Sequence, residues 1–78
     1  MNKKVNLGKV TAVKDFVQAT CNAPFPVEVG SDRYLVDGKS IMGVFSLNLS
    51  KPVDIHFESD DDTAVEKFLS AIKDFVVE

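Results

Sequence analysis

The chain has 78 residues, of which 45% are hydrophobic and 27% charged, and its formal net charge is −3. That length supports one domain, spanning residues 1–78, with a core near the lower limit for unaided folding. The mild acidity, with only Lys3, Lys4 and Lys9 as an early basic group, excludes the basic patch or aromatic platform of a nucleic-acid binder, and no apolar run approaches the ~20 residues of a membrane span.

Cys21 is the sole cysteine, so no internal disulfide can form and a reducing cytoplasm fits best. Its helical-period position predicts a buried structural thiol. The charged start Met1-Asn2-Lys3-Lys4 is not followed by an apolar stretch of signal-peptide length, which again leads to the expectation of a cytoplasmic protein.

In chain order, Lys3 to Leu7 alternates, with Val5 and Leu7 on one side, and predicts a first strand that Gly8 ends. Thr11 is the expected N-cap of a helix in which Val13, Phe16, Val17 and Thr20 or Cys21 recur at helical spacing. Asn22-Ala23-Pro24-Phe25-Pro26 stops it, because neither proline can continue a helix. Val27 and Val29 then alternate with Glu28 as a second strand. Gly30-Ser31-Asp32 is turn chemistry, and Arg33 to Val36 returns as a third strand, most simply a hairpin.

A short helix is predicted after Asp37-Gly38-Lys39, with Ser40 as its N-cap. Pro52 next opens a half-buried strand, with Val53, Ile55 and Phe57 on one side and Asp54, His56 and Glu58 on the other. Asp60-Asp61-Asp62 sets three carboxylates at the start of a last helix, where the macrodipole favours negative charge, and Thr63 with Glu66 resembles a capping box. Val65, Phe68, Leu69, Ile72, Phe75 and Val76 form one expected apolar face through the C-terminus. The order β-α-β-β-α-β-α, with helices on one face of a four-stranded sheet, is an α+β two-layer arrangement.

Chemistry-bearing constellations are few. One histidine and one cysteine make no zinc ligand set, and no Ser/His/Asp grouping or Gly-rich phosphate loop is present. The acidic triplet lacks the alternating ligand spacing and terminal glutamate of a calcium loop. His56, on the polar side of its strand, reads as a solvated or rim histidine. No enzyme, metal or cofactor is expected.

The run after Ser40 stands apart. At ~100° per residue, Ile41, Met42, Val44, Phe45 and Leu47 cover roughly 220° of a helix surface, whereas a stripe a little wider than ~100° suffices to seat a helix on its core. A purely structural reading has Ser40 capping and Ile41, Val44 and Leu47 facing inward. Met42 and Phe45 then remain outward, as an apolar docking surface would.

Lys39-Ser40-Ile41-Met42-Gly43-Val44-Phe45-Ser46-Leu47 resembles the segment around the regulatory serine of HPr, the histidine-containing phosphocarrier of the bacterial sugar phosphotransferase system. The resemblance implies an open-faced β-sandwich with a four-stranded antiparallel sheet and three helices on one face. It also implies a kinase that phosphorylates Ser40, and partners docked by Ile41, Met42 and Phe45, the last standing where the family often has a second methionine. The partners implied are HPr kinase, phosphotransferase-system proteins or a transcriptional regulator, as for the catabolite-repression paralogue that keeps the serine without the histidine.

The family places its phosphorylatable histidine between the first strand and first helix, in a pattern like Gly-Ile-His-Ala-Arg-Pro-Ala. The corresponding residues here are Asn6-Leu7-Gly8-Lys9-Val10-Thr11-Ala12, with no histidine, arginine or proline. Ungapped alignment back from Lys39 sets Lys9 near the histidine position and Thr11 near the arginine, with the segment ahead shorter by roughly half a dozen residues. A non-phosphocarrier regulatory protein is the expectation. A phosphocarrier with an unrecognised acceptor and a small-anion module at Lys9 and Thr11 stay open, as does the oligomeric state.

Overall fold

The computed structural model describes residues 2–31 and 34–77. Its elements run β1 (Asn2–Val5), α1 (Val10–Asn22), β2 (Val27–Ser31), β3 (Tyr34–Asp37), α2 (Ile41–Phe45), β4 (Val53–Phe57) and α3 (Asp62–Ile72). The strands form one antiparallel sheet in the order β1-β4-β2-β3. The register pairs Lys3 with Ile55, Val29 with both Ile55 and Val36, and Gly30 with Leu35. The three helices cover one face, giving the expected α+β open-faced sandwich.

The period-2 pattern decides which face is covered. Val53, Ile55 and Phe57 of β4, Val27 and Val29 of β2 and Val5 of β1 are buried under the helices. Val13, Phe16 and Val17 of α1 and Val65, Phe68 and Ile72 of α3 complete the core from above. Phe25, Phe57 and Phe68 form a ring cluster with centroids 5.0–5.6 Å apart, one pair stacked and two edge-on. Each such pair adds about 0.5–1.5 kcal/mol beyond area burial. The cluster fastens the Pro24-Phe25-Pro26 connection to α3.

Several boundaries differ from the sequence expectation. β1 ends at Val5 because Asn6 turns away, its side-chain oxygen accepting from the Gly8 N–H at 3.1 Å, although Leu7 still reaches the core. α1 begins at Val10 with Lys9 as its N-cap residue, so Thr11 lies inside the helix, exposed, and caps nothing. The buried position at the end of α1 is Thr20, not Cys21, which is exposed. One residue further rotates the side chain by about 100° off the buried stripe, and Thr20 tolerates burial because its hydroxyl is fully bonded.

β2 extends through Ser31, and the expected turn at Asp32 and the strand start at Arg33 lie outside the described residues. α3 is capped by Asp61, whose side chain accepts from the Ala64 N–H at 3.1 Å, so Thr63 and Glu66 form no capping box. The helix stops at Ile72 instead of continuing. Residues 73–75 form a turn, and the chain then pairs with β1: Asn6 N–H donates to Phe75 O, Val77 N–H donates to Lys4 O, and Val76 bridges Val5. Phe75 and Val76 keep their packing against the core from that strand-like tail.

Candidate functional site

The segment from Asp37 to Ser40 is built before α2 begins. Asp37 forms an Asx-type turn, its carboxylate accepting from the Lys39 N–H at 2.9 Å, while its carbonyl accepts from Ser40 N–H at 3.1 Å. Gly38 N–H donates to Val27 O at 2.7 Å. A Cβ on Gly38 would stand 2.9 Å from that same carbonyl oxygen, so the approach of backbone to backbone requires glycine there.

The C-terminal end of α1 holds this segment from the other side. Buried Thr20 donates to Gly38 O at 2.7 Å and also to Val17 O at 2.8 Å, one hydroxyl shared by two carbonyls. The Lys39 ammonium donates to Ala23 O at 2.9 Å, and the Cys21 thiol lies 3.6 Å from Lys39 O. α1 has no basic residue in its own last turn. Lys39 supplies that cation from another element, where the helix dipole favours it.

Ser40 then caps α2 as expected, its side-chain oxygen accepting from the Gly43 N–H at 3.1 Å. Val44 and Leu47 are buried, but Ile41 is not turned inward: it is 38% exposed, beside Phe45 at 39% and Met42 at 78%. Two inward anchors seat this short helix, and the remaining three large apolar side chains meet solvent.

The N-terminal end of α1 contrasts with this. Lys9 makes no side-chain cap bond and the first turn carries no acidic residue. Lys9, Val10 and Thr11 are all exposed. The residues 6–12 that lead into and open the helix contain no histidine; the one histidine is His56. Its position on β4 puts it among residues that alternate away from the helices. There Nδ1 is hydrogen-bonded to Asn2 Oδ1 at 2.6 Å and Nε2 lies 3.8 Å from Glu58. The sheet itself separates His56 from the helix layer. Among the described residues, no group of His, Cys, Asp and Glu side chains could hold a metal ion, and no helix is long and apolar enough to cross a membrane.

The family model for the PTS HPr component phosphorylation site matches residues 9–78. The chain belongs to the HPr family. HPr proteins are phosphocarriers of the phosphotransferase system, not enzymes, and they work with other proteins of that system. The fold agrees with solved HPr structures. HPr-C-His from Thermoanaerobacter tengcongensis superposes with a TM-score of 0.73 at 23% identity, over 94% of this chain and 91% of that one. The phosphocarrier protein HPr from Bacillus anthracis superposes with a TM-score of 0.67 at 26% identity, over 91% and 94%. No curated protein matches significantly in sequence.

Sequence reading located Ser40 and its apolar neighbours but missed the support behind them: Asp37, Gly38, Thr20 and the Lys39 ammonium. Asp37-Gly38 two residues ahead of a helix cap carried a legible turn signal. Thr20 carried none, because its partner is eighteen residues away in the chain.

Proposed function

We propose that this HPr-family chain is a non-phosphocarrier regulatory protein of bacterial cytoplasm, one domain over residues 1–78, that docks protein partners through the α2 surface and is controlled by phosphorylation at Ser40. The observation that carries this reading is the exposure of Ile41, Met42 and Phe45 on a helix that Ser40 caps. The absence of histidine from residues 6–12 supports the loss of phosphoryl transfer, since the α1 N-terminus then has no acceptor side chain of the family type.

The chemistry follows from charge. A phosphoserine adds about −1.5 to −2 charges. At the start of α2 the helix tolerates that charge. A partner that buries Ile41 and Met42 does not, unless it brings basic residues to meet it. One modification thereby selects between an apolar and a basic partner, with an HPr kinase as writer and a phosphotransferase-system protein or transcriptional regulator as reader.

Intact-mass measurement after incubation with an HPr kinase and ATP tests this. One added phosphate, absent from Ser40→Ala, is the expected result; an unmodified wild-type chain would sink the regulatory reading and leave Ser40 as a cap. Labelling by the phosphoenolpyruvate-driven system, expected to be nil, would instead reveal a phosphocarrier with another acceptor.

A second reading has its own observation. The α1 N-terminus presents backbone N–H groups with no side-chain cap, beside Lys9 and Thr11, an arrangement suited to a small anion. Amide shift changes confined to Val10–Val13 on adding sugar phosphates would support it, and unchanged shifts would remove it.

A further inference from the structure

The face of the sheet turned away from the helices is small enough to read residue by residue. Val5, Val29 and Ile55 point into the core, so the residues alternating with them point outward. The register sets these in two rows across the four strands. Asn2, His56, Glu28 and Asp37 make one row, and Lys4, Asp54, Gly30 and Leu35 make the other.

Some of these groups answer one another. Lys4 meets Asp54 at 3.7 Å, and His56 is hydrogen-bonded to Asn2 at 2.6 Å. Glu28 and Asp37 stand opposite each other without such an answer. Gly38 N–H donates to Val27 O at 2.7 Å, which makes that neighbouring pair the hydrogen-bonded type. Antiparallel pairs alternate, so Glu28 and Asp37 form the non-bonded type, in which side chains stand closer. Like charges directly opposite destabilise a sheet. Among the described residues neither carboxylate has an ion pair. Asp37 accepts from the Lys39 N–H through one oxygen, which leaves the other for a further donor.

Beside this pair the second row is hollow. Gly30 has no side chain, and Leu35, 65% exposed, leans over it: a Cβ on Gly30 would stand 3.5 Å from Leu35 Cδ1. A cavity of about 550 Å³ is bounded by Glu28, Gly30, Leu35, Asp54 and His56. A second, of about 340 Å³, shares Glu28 and Leu35 and reaches Asp37.

We infer that this face docks a protein partner through an arginine that has apolar residues beside it. The aliphatic stem of the arginine lies along Leu35 and over Gly30. Its guanidinium reaches Glu28 and Asp37, where two adjacent carboxylates suit a planar fork of donors better than a point charge. The incoming charge relieves a repulsion that the free chain bears. Leu35 selects a peptide over a bare polycation, because only the peptide brings an apolar neighbour to cover it. The sign of the pair turns away nucleic acid, whose affinity rests on neutralising phosphates. The sheet separates this face from α2, so Ile41, Met42 and Phe45 stay open to another partner.

Amide NMR titration of the full chain with a blocked peptide of alternating arginine and valine tests this, against a glutamate–valine peptide and against spermine. The expected result is saturable shift change centred on Glu28, Gly30, Leu35 and Asp37 with the arginine peptide alone, weakening as salt is raised. Glu28→Gln should weaken binding roughly fivefold or more. Glu28 is exposed, so that variant keeps the fold, which unchanged core amide shifts verify. No shift change at millimolar arginine peptide overturns the inference. So does binding that maps elsewhere, binding indifferent to Glu28→Gln, or an equal response to spermine, which would leave only a general attraction for cations.

Discussion

The two ends of α1 show how differently one helix is fixed at its termini. Its C-terminal end exchanges polar contacts with the 37–40 segment through Thr20, Ala23 and Cys21, and so determines where Ser40 stands. Its N-terminal end is held by backbone alone, with Lys9 uncapped and Val10 exposed. In a family whose phosphoryl chemistry is placed at that N-terminal end, the polar scaffolding here is concentrated at the opposite one. Where side chains are locked by mutual bonds, position is conserved against thermal motion; where they are not, a ligand must supply the order.

Five substitutions break or sharpen that contrast. Gly38→Ala drives a methyl into the Val27 carbonyl and should cost about 3 kcal/mol, read as a lower urea midpoint. Thr20→Val keeps the shape of the side chain but strips the buried bond to Gly38 O. A loss of about 2 kcal/mol is expected, which in a domain of this size lowers Tm by roughly 4–8 °C per kcal/mol.

Ser40→Ala should cost about 1 kcal/mol and speed hydrogen exchange at the Gly43 amide, with the Ala64 amide that Asp61 caps unchanged as internal control. Ser40→Asp retains a capping oxygen and should stay within a few tenths of wild type, so loss of partner binding by that variant would report docking and not folding. At the other end of α1 the sign reverses. Lys9→Asp gives the bare N-terminus both a cap and a favourable charge, and should raise stability by about 0.5–1 kcal/mol; a fall in Tm would mean that Lys9 holds something the fold needs.

The parts of this structure legible in the sequence are those governed by periodicity. β4 alternates so cleanly that Val53, Ile55 and Phe57 could be assigned to the core by inspection, and α3 likewise declared Val65, Phe68 and Ile72. Ser40 was legible because capping is local, the bond reaching only three residues ahead. Thr11 misled because a good capping residue competes with position. The chain leaves β1 so early, at the Asn6 turn, that the N-cap falls on Lys9, two residues before it. The Phe75–Val77 tail was read as helix because Phe75 and Val76 fit a helical spacing with Ile72. Nothing local signals that Asn6 and Lys4, some seventy residues earlier, wait with open main-chain groups.

Tyr34, on the bare β3 edge, is also the chain's only tyrosine, and there is no tryptophan. All intrinsic ultraviolet emission therefore comes from one ring, 71% exposed, while the six phenylalanines contribute almost nothing to it. A titration or melt followed by that emission reports on the edge strand and not on the Phe25–Phe57–Phe68 cluster. Circular dichroism reports on the helices. If the two curves part, the difference measures how independently the edge frays, and it is not by itself a sign of a folding intermediate.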